Sequence, residues 1–502
     1  MREYEVTLNQ NSLVKYLRKP AKEFTRHDII RYIEENAIEQ VNFHYVNEDG
    51  KLKTLNFVII SRAYLESILS TGERVDGSSL FSYIDASTSD LYVIPRFKTA
   101  FVNPFSEVPT IDIFCSFYTK EGLPLPSAPE NILKKASNRF IETTGYKIKA
   151  LGELEYYIIA DKDSNQEYPA KDQKGYHEST PFAKFEFLRT EAMRIIAKCG
   201  GKIKYSHSEV GSFTTDDKYY EQHEIEFNPV DVDEAADQIV LGKWILRNLA
   251  YKYGVDISFA PKITVGKAGS GLHIHYMIAD EQDNNLMIED NELSDIALKS
   301  IAGILEKAKA LTAFGNTIPT SYLRLVPHQE APTNICWGET NRSALVRIPL
   351  GWTLKTEMIK DANPVEIAEV PYIPGKQTAE FRVPDGSADI YHLLAGMIMA
   401  MQQGIEMPNS LEIANDLKIE ENIFEKEELT KHLKKLPTSC SESADELEKE
   451  IKFFNSDNIF PTGTLNRFIT VLRSYEDQNL SEKLYQKDEE IMKLVNEYFH
   501  HG

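Results

Sequence analysis

The sequence predicts an α+β fold in two parts, and three observations carry that expectation. Residues 41–60 alternate polar and apolar side chains, and strand-like pieces follow at 91–97 and 109–118, so the opening part is β-rich. "EGLPLPSAP" at 121–129 then breaks the pattern with three prolines. Beyond it, helical stretches alternate with short strands to the end of the chain.

Taken in order, "NEDGK" sits between the first two strands, and Asp49-Gly50 is a hairpin turn signal. After the proline break, Ser127 and Glu130 have the spacing of a capping box. The helix they would start buries Ile132, Leu133, Ala136, Phe140 and Ile141 and ends at Gly145. A boundary near residue 125 therefore divides the chain into 1–125 and 126–502. In the second part helices are expected at 181–199, 233–254, 292–313 and 387–403, with strands at 150–160, 222–228, 272–278, 343–349 and 379–383. Two long irregular segments, 161–180 and 315–341, have the length of lids or binding loops. The last ninety residues read as charged amphipathic helices, "KEELTKHLKKL" and "SADELEKEIKFF" among them.

With 502 residues the chain has enough material for a substantial core. Its 77 acidic against 56 basic residues give a net charge of −21, which argues against a nucleic-acid surface. The run "HLLAGMIMAM" at 392–401 is too short to span a bilayer and fits a buried helix, and MREYEVTLNQ lacks the apolar centre of a signal peptide. Cys115, Cys199, Cys336 and Cys440 are scattered without a CxxC pair, so a reduced, cytoplasmic setting is expected.

The chemistry lies in polar strand faces. In "LGELEYYIIA" alternate side chains share a face, so Glu153 and Glu155 stand side by side roughly 7 Å apart. Leu154, Tyr156 and Ile158 point the other way, while Tyr157 and Ile159 make the rest of the glutamate face apolar. "HEIEF" repeats the pattern with Glu224 and Glu226, "GSGLHIHYM" with His273 and His275, and "EFRVPD" with Glu380 and Arg382. One such strand is ordinary for a half-exposed sheet. Four in one domain, with Glu209 in "SHSEVG" nearby, make a donor set of carboxylates and an imidazole or two without thiolate. Hard oxygen donors suit Mg²⁺ or Mn²⁺ better than zinc, and a divalent ion relieves the crowding of like charges. Arg324, Arg342, Arg347 and Arg382 supply planar forks for carboxylate and phosphate oxygens. Metal and arginines together suggest phosphoryl transfer involving a polyphosphate and a carboxylate, without a GxxxxGK[ST] loop.

In sequence order, "VDGSSL" (75–80), "ELEYY" (153–157), "SEVG" (208–211), "QHEIEFNP" (222–229), "GSGLHIH" (269–275), "RLVPHQEAP" (324–332), "NRSALVRIP" (341–349) and "EFRVPD" (380–385) resemble glutamine synthetase of the long bacterial type. "LPTSCSESADELEKE" resembles the family's tail. The resemblance implies a small N-terminal β-grasp-like domain and a large catalytic domain. The latter would be a curved antiparallel sheet with surrounding helices, of the glutamine synthetase/guanido kinase type. It implies ATP-dependent ligation of ammonium to glutamate through γ-glutamyl phosphate, with two or three Mg²⁺ or Mn²⁺ ions. Glu155, Glu209 and Glu224 would hold one ion, and Glu153, His273 and Glu380 the nucleotide-linked one. His275 and Gly269 would border the substrates, Arg324 and Arg382 would hold glutamate and phosphate oxygens, and Arg342 and Arg347 the ATP phosphates. Glu330 would be the flap glutamate that closes the glutamate entrance. Asp76, with Ser79, would reach a neighbouring subunit's site to bind ammonium and take its proton, and Tyr176 in "KGYH" matches another ammonium-site position. Homo-oligomeric rings, a dodecamer of two hexamers, follow from the same resemblance.

Departures fall at Ala268, where the family often has Asn, at Met277 in place of a serine near the nucleotide, and at Thr378 in place of a basic residue. No counterpart of the adenylylated tyrosine loop follows residue 400. The competing readings are a γ-glutamyl ligase for a larger amine such as a polyamine, and a non-catalytic homologue. Retention of Glu or His at all six ligand positions speaks against the second.

Overall fold

The computed structural model describes residues 6–162, 168–169, 171–264, 266–326, 331–351, 358–367, 375–421, 431–484 and 487–501. The first sheet is built from β1 (Gln40–Val46), β2 (Leu52–Val58), β3 (Glu73–Asp76), β4 (Asp90–Pro95), β5 (Phe101–Val102) and β6 (Thr110–Tyr118). Its order is β2-β1-β6-β4-β3, with β5 also on β6. β1 and β6 run parallel at the centre and the other pairs are antiparallel. The expected hairpin forms between β1 and β2, pairing Val46 with Leu52, and Gly50 takes a φ of +70° that a side chain would resist. The helix Arg26–Glu35 packs against this sheet, started by a capping box of Thr25 and Asp28.

The second sheet carries the polar faces. It comprises β7 (Lys147–Asp161), β8 (Ile203–Thr214), β9 (Lys218–Phe227), β10 (Val230–Asp231), β11 (Asp256–Ser258), β12 (Leu272–Ala279), β15 (Trp337–Glu339), β16 (Val346–Ile348) and β17 (Ala379–Phe381). β13 (Ile288–Glu289) and β14 (Glu292–Leu293) form a separate two-stranded hairpin. The main order is β15-β16-β17-β12-β7-β9-β8, antiparallel except for β15 with β16, while β10 and β11 flank the two ends of β7. Helices Pro129–Thr144, Val232–Tyr253, Asp295–Gly315 and Ile390–Glu406 share one apolar core with Leu154, Tyr156 and Ile158 of β7. Gly152 lets a helix come close, since a Cβ there would meet Ile239 at 2.8 Å. Tyr157 and Ile159 are covered instead by a smaller cluster including Phe213, Ala260 and Val495. Both faces of β7 are thus covered, as its sequence predicts.

Close helix contact explains the run at 392–401. Helix Ile390–Glu406 crosses helix Asp295–Gly315 at Gly303 and Gly404, where a Cβ would fall 2.0 Å from Ala400 O and 2.1 Å from Lys299 O. The two sheets are tied by Arg96, whose guanidinium donates to both carboxylate oxygens of Asp237 at 2.7 and 2.9 Å, and by Lys98 with Asp233.

Several local expectations are corrected. The helix at 129 has Pro129 in its first turn and no side-chain cap, because Glu130 instead accepts the backbone N–H of Phe117 at 2.8 Å. Ile141, expected in the core, is 39% exposed. The helix expected from 181 starts at Glu186, and the one expected from 292 starts at Asp295, after Ser294 accepts from Ala297 N. Of "KEELTKHLKKL", residues 431–436 are turns and a bridge at Lys435 rather than helix, while 426–430 lie outside the described residues. "SADELEKEIKFF" is helical, in the segments Cys440–Lys449 and Ile451–Phe454. All four cysteines are buried thiols.

Candidate functional site

Strand register assembles the polar faces into one surface. β7 places Glu153 opposite Glu226 of β9 and His273 of β12, and Glu155 opposite Glu224. β8 sets His207 beside Glu224, and a register shift follows between Ser208 and Ser212, where Glu209 lies. On the other side His275 faces Glu380 of β17, which faces Arg347 of β16. Period-two alternation chose the face, and antiparallel pairing made the row continuous across six strands.

Among the described residues, three groups of ligand atoms lie within 4.8 Å of one another: Glu153, His273 and Glu380; His207, Glu209 and Glu224; and Glu153, Glu224 and Glu226. His273 Nδ1 is 3.0 Å from Glu153 Oε2 and 3.4 Å from Glu380 Oε1. His207 Nε2 is 3.3 Å from Glu224 Oε1, so beside Glu209 and Glu224 the third close ligand is His207. Glu155 stands slightly apart. Its Oε2 accepts the N–H of Gly271 at 2.7 Å and Gln222 Nε2 at 3.2 Å, and its Oε1 lies 3.9 Å from His273 Nε2.

The electrostatics show the strain of this crowding. Burial, added to the charges of Glu153, Glu155, Glu209 and Glu226, pushes the Glu224 carboxyl well above its usual range. Burial likewise raises Glu155. For Glu153 burial is outweighed by His275 and His273, which hold it well below the usual carboxylate range. Burial also opposes charge on His275, but the Glu153 carboxylate 2.9 Å from its Nε2 keeps the imidazole's pKa raised. Glu226 Oε2 is buried without a hydrogen-bond partner among the described residues. Crowded carboxylates, imidazole donors and an unsatisfied buried oxygen fit hard divalent cations.

Cations line one flank. Arg347 donates to Glu380 Oε2 at 2.8 Å and Arg382 Nε to Glu380 Oε1 at 3.0 Å. Arg324 is held by the carbonyl of Val383 at 2.9 Å and reaches His273 Nε2 at 3.4 Å. A cavity of about 50 Å³ opens among Glu155, Lys262, Gly269, His273, Arg324 and Arg382. Gly269 is fixed by space, since a Cβ there would lie 2.6 Å from Pro261 O.

Other expected site residues are dispersed. Asp76 and Ser79 are exposed on the first sheet, where Asp76 accepts from Ser78 and from Ser79 Oγ at 2.7 Å. Those hydroxyl donors hold its carboxyl well below the ordinary value. Tyr176 is half-exposed but does approach the site, its ring stacked on His177 at 4.2 Å and edge-on to His207 at 5.4 Å. Arg342 is exposed in the turn before β16. Glu330 lies outside the described residues. Among the departures, Thr378 Oγ1 is 2.9 Å from His275 Nδ1, Ala268 O accepts from Tyr157 Oη at 2.9 Å, and Met277 Sδ faces Asn285. The sequence reading passed over His207, although "HSE" has the same two-residue spacing as the glutamate pairs.

Comparison with known proteins fits this geometry. The family profile described as "Glutamine synthetase, catalytic domain" matches residues 126–490, and that described as "Glutamine synthetase, beta-Grasp domain" matches 37–120. A glutamine synthetase of Pyrococcus furiosus is 33% identical over 419 residues, covering 83% of this chain and 86% of its own. One of Methanococcus maripaludis is 29% identical over 431 residues, covering 84% and 89%. Among solved structures, a Plasmodium falciparum glutamine synthetase superposes with a TM-score of 0.73 at 22% identity, over 92% of this chain and 99% of that one. A GmaS/ADP complex gives 0.70 at 19% identity, over 90% and 96%. The fold is therefore a β-grasp domain joined to a catalytic domain whose curled sheet is backed by helices. With both profiles together spanning most of its length, the chain belongs to the glutamine synthetase family.

Proposed function

We propose that this protein ligates ammonia to L-glutamate at the expense of ATP, giving glutamine, ADP and phosphate through γ-glutamyl phosphate. The observation that carries the reading is the continuous row in which ligand groups sharing Glu153 meet Arg324, Arg347 and Arg382 across His273 and Glu380. The division of labour is placed at residue 125, with the ATP and glutamate chemistry in 126–502.

In the proposed assignment Glu153, His273 and Glu380 hold one Mg²⁺ or Mn²⁺, and Glu155, Glu209 and Glu224, joined by His207, hold another. When bound, these ions neutralise phosphate and carboxylate charge that would otherwise repel the reactants. Arg324 and Arg382 orient glutamate so that its γ-carboxylate oxygen attacks the γ-phosphorus and ADP leaves. Arg347 and Arg342 stabilise the transferring phosphoryl oxygens, where charge-assisted contacts strengthen in the transition state. Ammonium binds at Asp76 and Ser79 of a neighbouring subunit, with Tyr176 alongside. Asp76 is suited to binding the cation because its hydroxyl donors keep the carboxyl ionised. Ammonium passes a proton to the Asp76 carboxylate, the resulting ammonia displaces phosphate from the acyl carbon, and Glu330 closes the site against water. The reading carries with it a ring assembly, proposed as two stacked hexamers, in which Asp76 serves the site of a neighbouring subunit. No described helix is long and apolar enough to cross a membrane.

The alternative reading is a γ-glutamyl ligase for a larger amine such as a polyamine. Phosphate release with glutamate and ATP, measured with ammonium or with putrescine as the amine, separates the readings. Turnover with ammonium is expected, and turnover with putrescine alone would overturn the proposal.

A further inference from the structure

The ligand face of β8 is supported from behind. Ser208 stands between His207 and Glu209, so alternation turns its side chain to the opposite face of the strand. There it meets Arg189, one turn into the helix Glu186–Lys198. Arg189 Nη1 donates to Ser208 Oγ and to His223 Nδ1, both at 2.8 Å. A guanidinium has donors only, so His223 Nδ1 accepts and the ring proton sits on Nε2, 2.8 Å from Glu221 Oε1. Glu221 in turn accepts the N–H groups of Lys184 and Phe185 at 2.9 and 3.1 Å, just ahead of the same helix. All four side chains are buried.

Ser208 and His223 are also cross-strand partners, and theirs is the last regular pair of β8 with β9 before the register shifts toward Ser212. Pairing displaced by one residue would turn His207 and Glu209 to the helix side, away from Glu224. A bulge weakens the ladder where that choice is made, because it leaves residues of one strand unpaired. Arg189 makes good the loss by gripping both members of the pair that sets the phase. The same serine serves a second segment. Ser208 Oγ donates to Glu178 O at 3.1 Å, and Ser208 O accepts from His177 N at 2.9 Å. These bonds hold Tyr176 and His177 against His207, whose ring centre lies 4.4 Å from that of His177. Gly175 passes so close to the bulge that a Cβ there would fall 2.4 Å from Glu209 O.

We propose that Arg189 is a positioning residue for the group His207, Glu209 and Glu224. By clamping Ser208 to His223 it fixes the register that presents His207 and Glu209 to a divalent cation. The inference rests on the metal reading given above, and it adds a residue on the covered side of the sheet that acts through Ser208. The effect is confined to one of the candidate groups. Glu153, His273 and Glu380 sit on β7, β12 and β17, whose pairing with one another does not involve β8.

The test uses the full-length protein without substrates. Manganese is titrated and the free ion is followed by electron paramagnetic resonance. Arg189→Met should weaken one class of bound ion about 10–100-fold, the loss typical when a group supporting a metal ligand is removed, and leave another class near the parent value. Weakening of all classes alike would mark a general loss of structure and overturn the positioning role. Ser208→Ala, a smaller change at the other end of the clamp, should weaken the same class, and adding Arg189→Met to it should weaken that class little further. In metal-free crystals of either variant, His207 Nε2 should stand farther from Glu224 Oε1 than the parent's 3.3 Å. Where the parent binds manganese, unchanged affinity in both variants overturns the inference, as does an unmoved His207 in their metal-free structures. A parent that binds no manganese sinks the metal reading instead, and the metal-free structures then decide the clamp alone.

Discussion

Replacing Glu224 by Gln should stabilise the metal-free protein and weaken the stabilisation that magnesium gives. Glu224 lies within 4.8 Å of Glu153 and Glu226 through the ligand atoms that form one candidate group. At an effective dielectric of about 20, two full charges at that distance repel by about 3.5 kcal/mol. Burial and the four neighbouring carboxylates answer part of this by raising the Glu224 pKa, so its neutral form persists to higher pH than that of an ordinary carboxyl. A folded-state pKa above the unfolded one means that the folded state binds more protons, so metal-free stability falls as pH rises above about 4.3. Glutamine keeps the shape and removes the charge. A gain of about 1–3 kcal/mol at neutral pH is expected after relaxation, with a flatter pH dependence. Thermal unfolding of parent and variant, in chelator and across a magnesium titration from pH 5 to 8, reads both effects. A metal-free variant less stable than the parent, or one that magnesium stabilises equally, would refute the idea that this crowding is maintained for a cation.

Other consequences follow from packing and pairing. Gly404→Ala forces a methyl against Lys299 O and should cost about 1–3 kcal/mol or more in urea unfolding, while activity per folded molecule is kept. Arg96→Met leaves Asp237 buried with Tyr391 as its remaining partner among the described residues, and about 3–5 kcal/mol should be lost. Pairing it with Asp237→Leu should recover part of that, as a double-mutant cycle would show. Thr378→Val removes the hydroxyl at His275 Nδ1, so the pH–rate profile should move with stability changed by no more than about 1.5 kcal/mol. An unmoved profile would assign Thr378 to packing alone.

Much of the fold was legible because its signals are local. Asp49-Gly50 fixes a hairpin by turn chemistry, and the apolar run at 392–401 can only be a buried helix. The capping box at Ser127 failed because Glu130 serves a strand distant in its pairing, a use that no window around residue 130 reveals. In the site, alternation showed that Glu153 and Glu155 share a face. It could not show that Glu153 would meet Glu226 and His273, since register is a long-range property. Arg96 and Asp237 lie 141 residues apart and carry no local mark of their partnership. His207 was legible and missed, because an H-x-E pair was weighed as one glutamate.

The most direct test of the account is the fate of the γ-carboxylate oxygen. Glutamate labelled with ¹⁸O in that carboxylate is incubated with the protein, ATP, magnesium and ammonium, and the released phosphate is analysed by mass spectrometry. If γ-glutamyl phosphate forms, one labelled oxygen appears in each phosphate as glutamine is made. Glutamine formed with unlabelled phosphate would contradict the proposed chemistry of the row from Glu224 to Arg347.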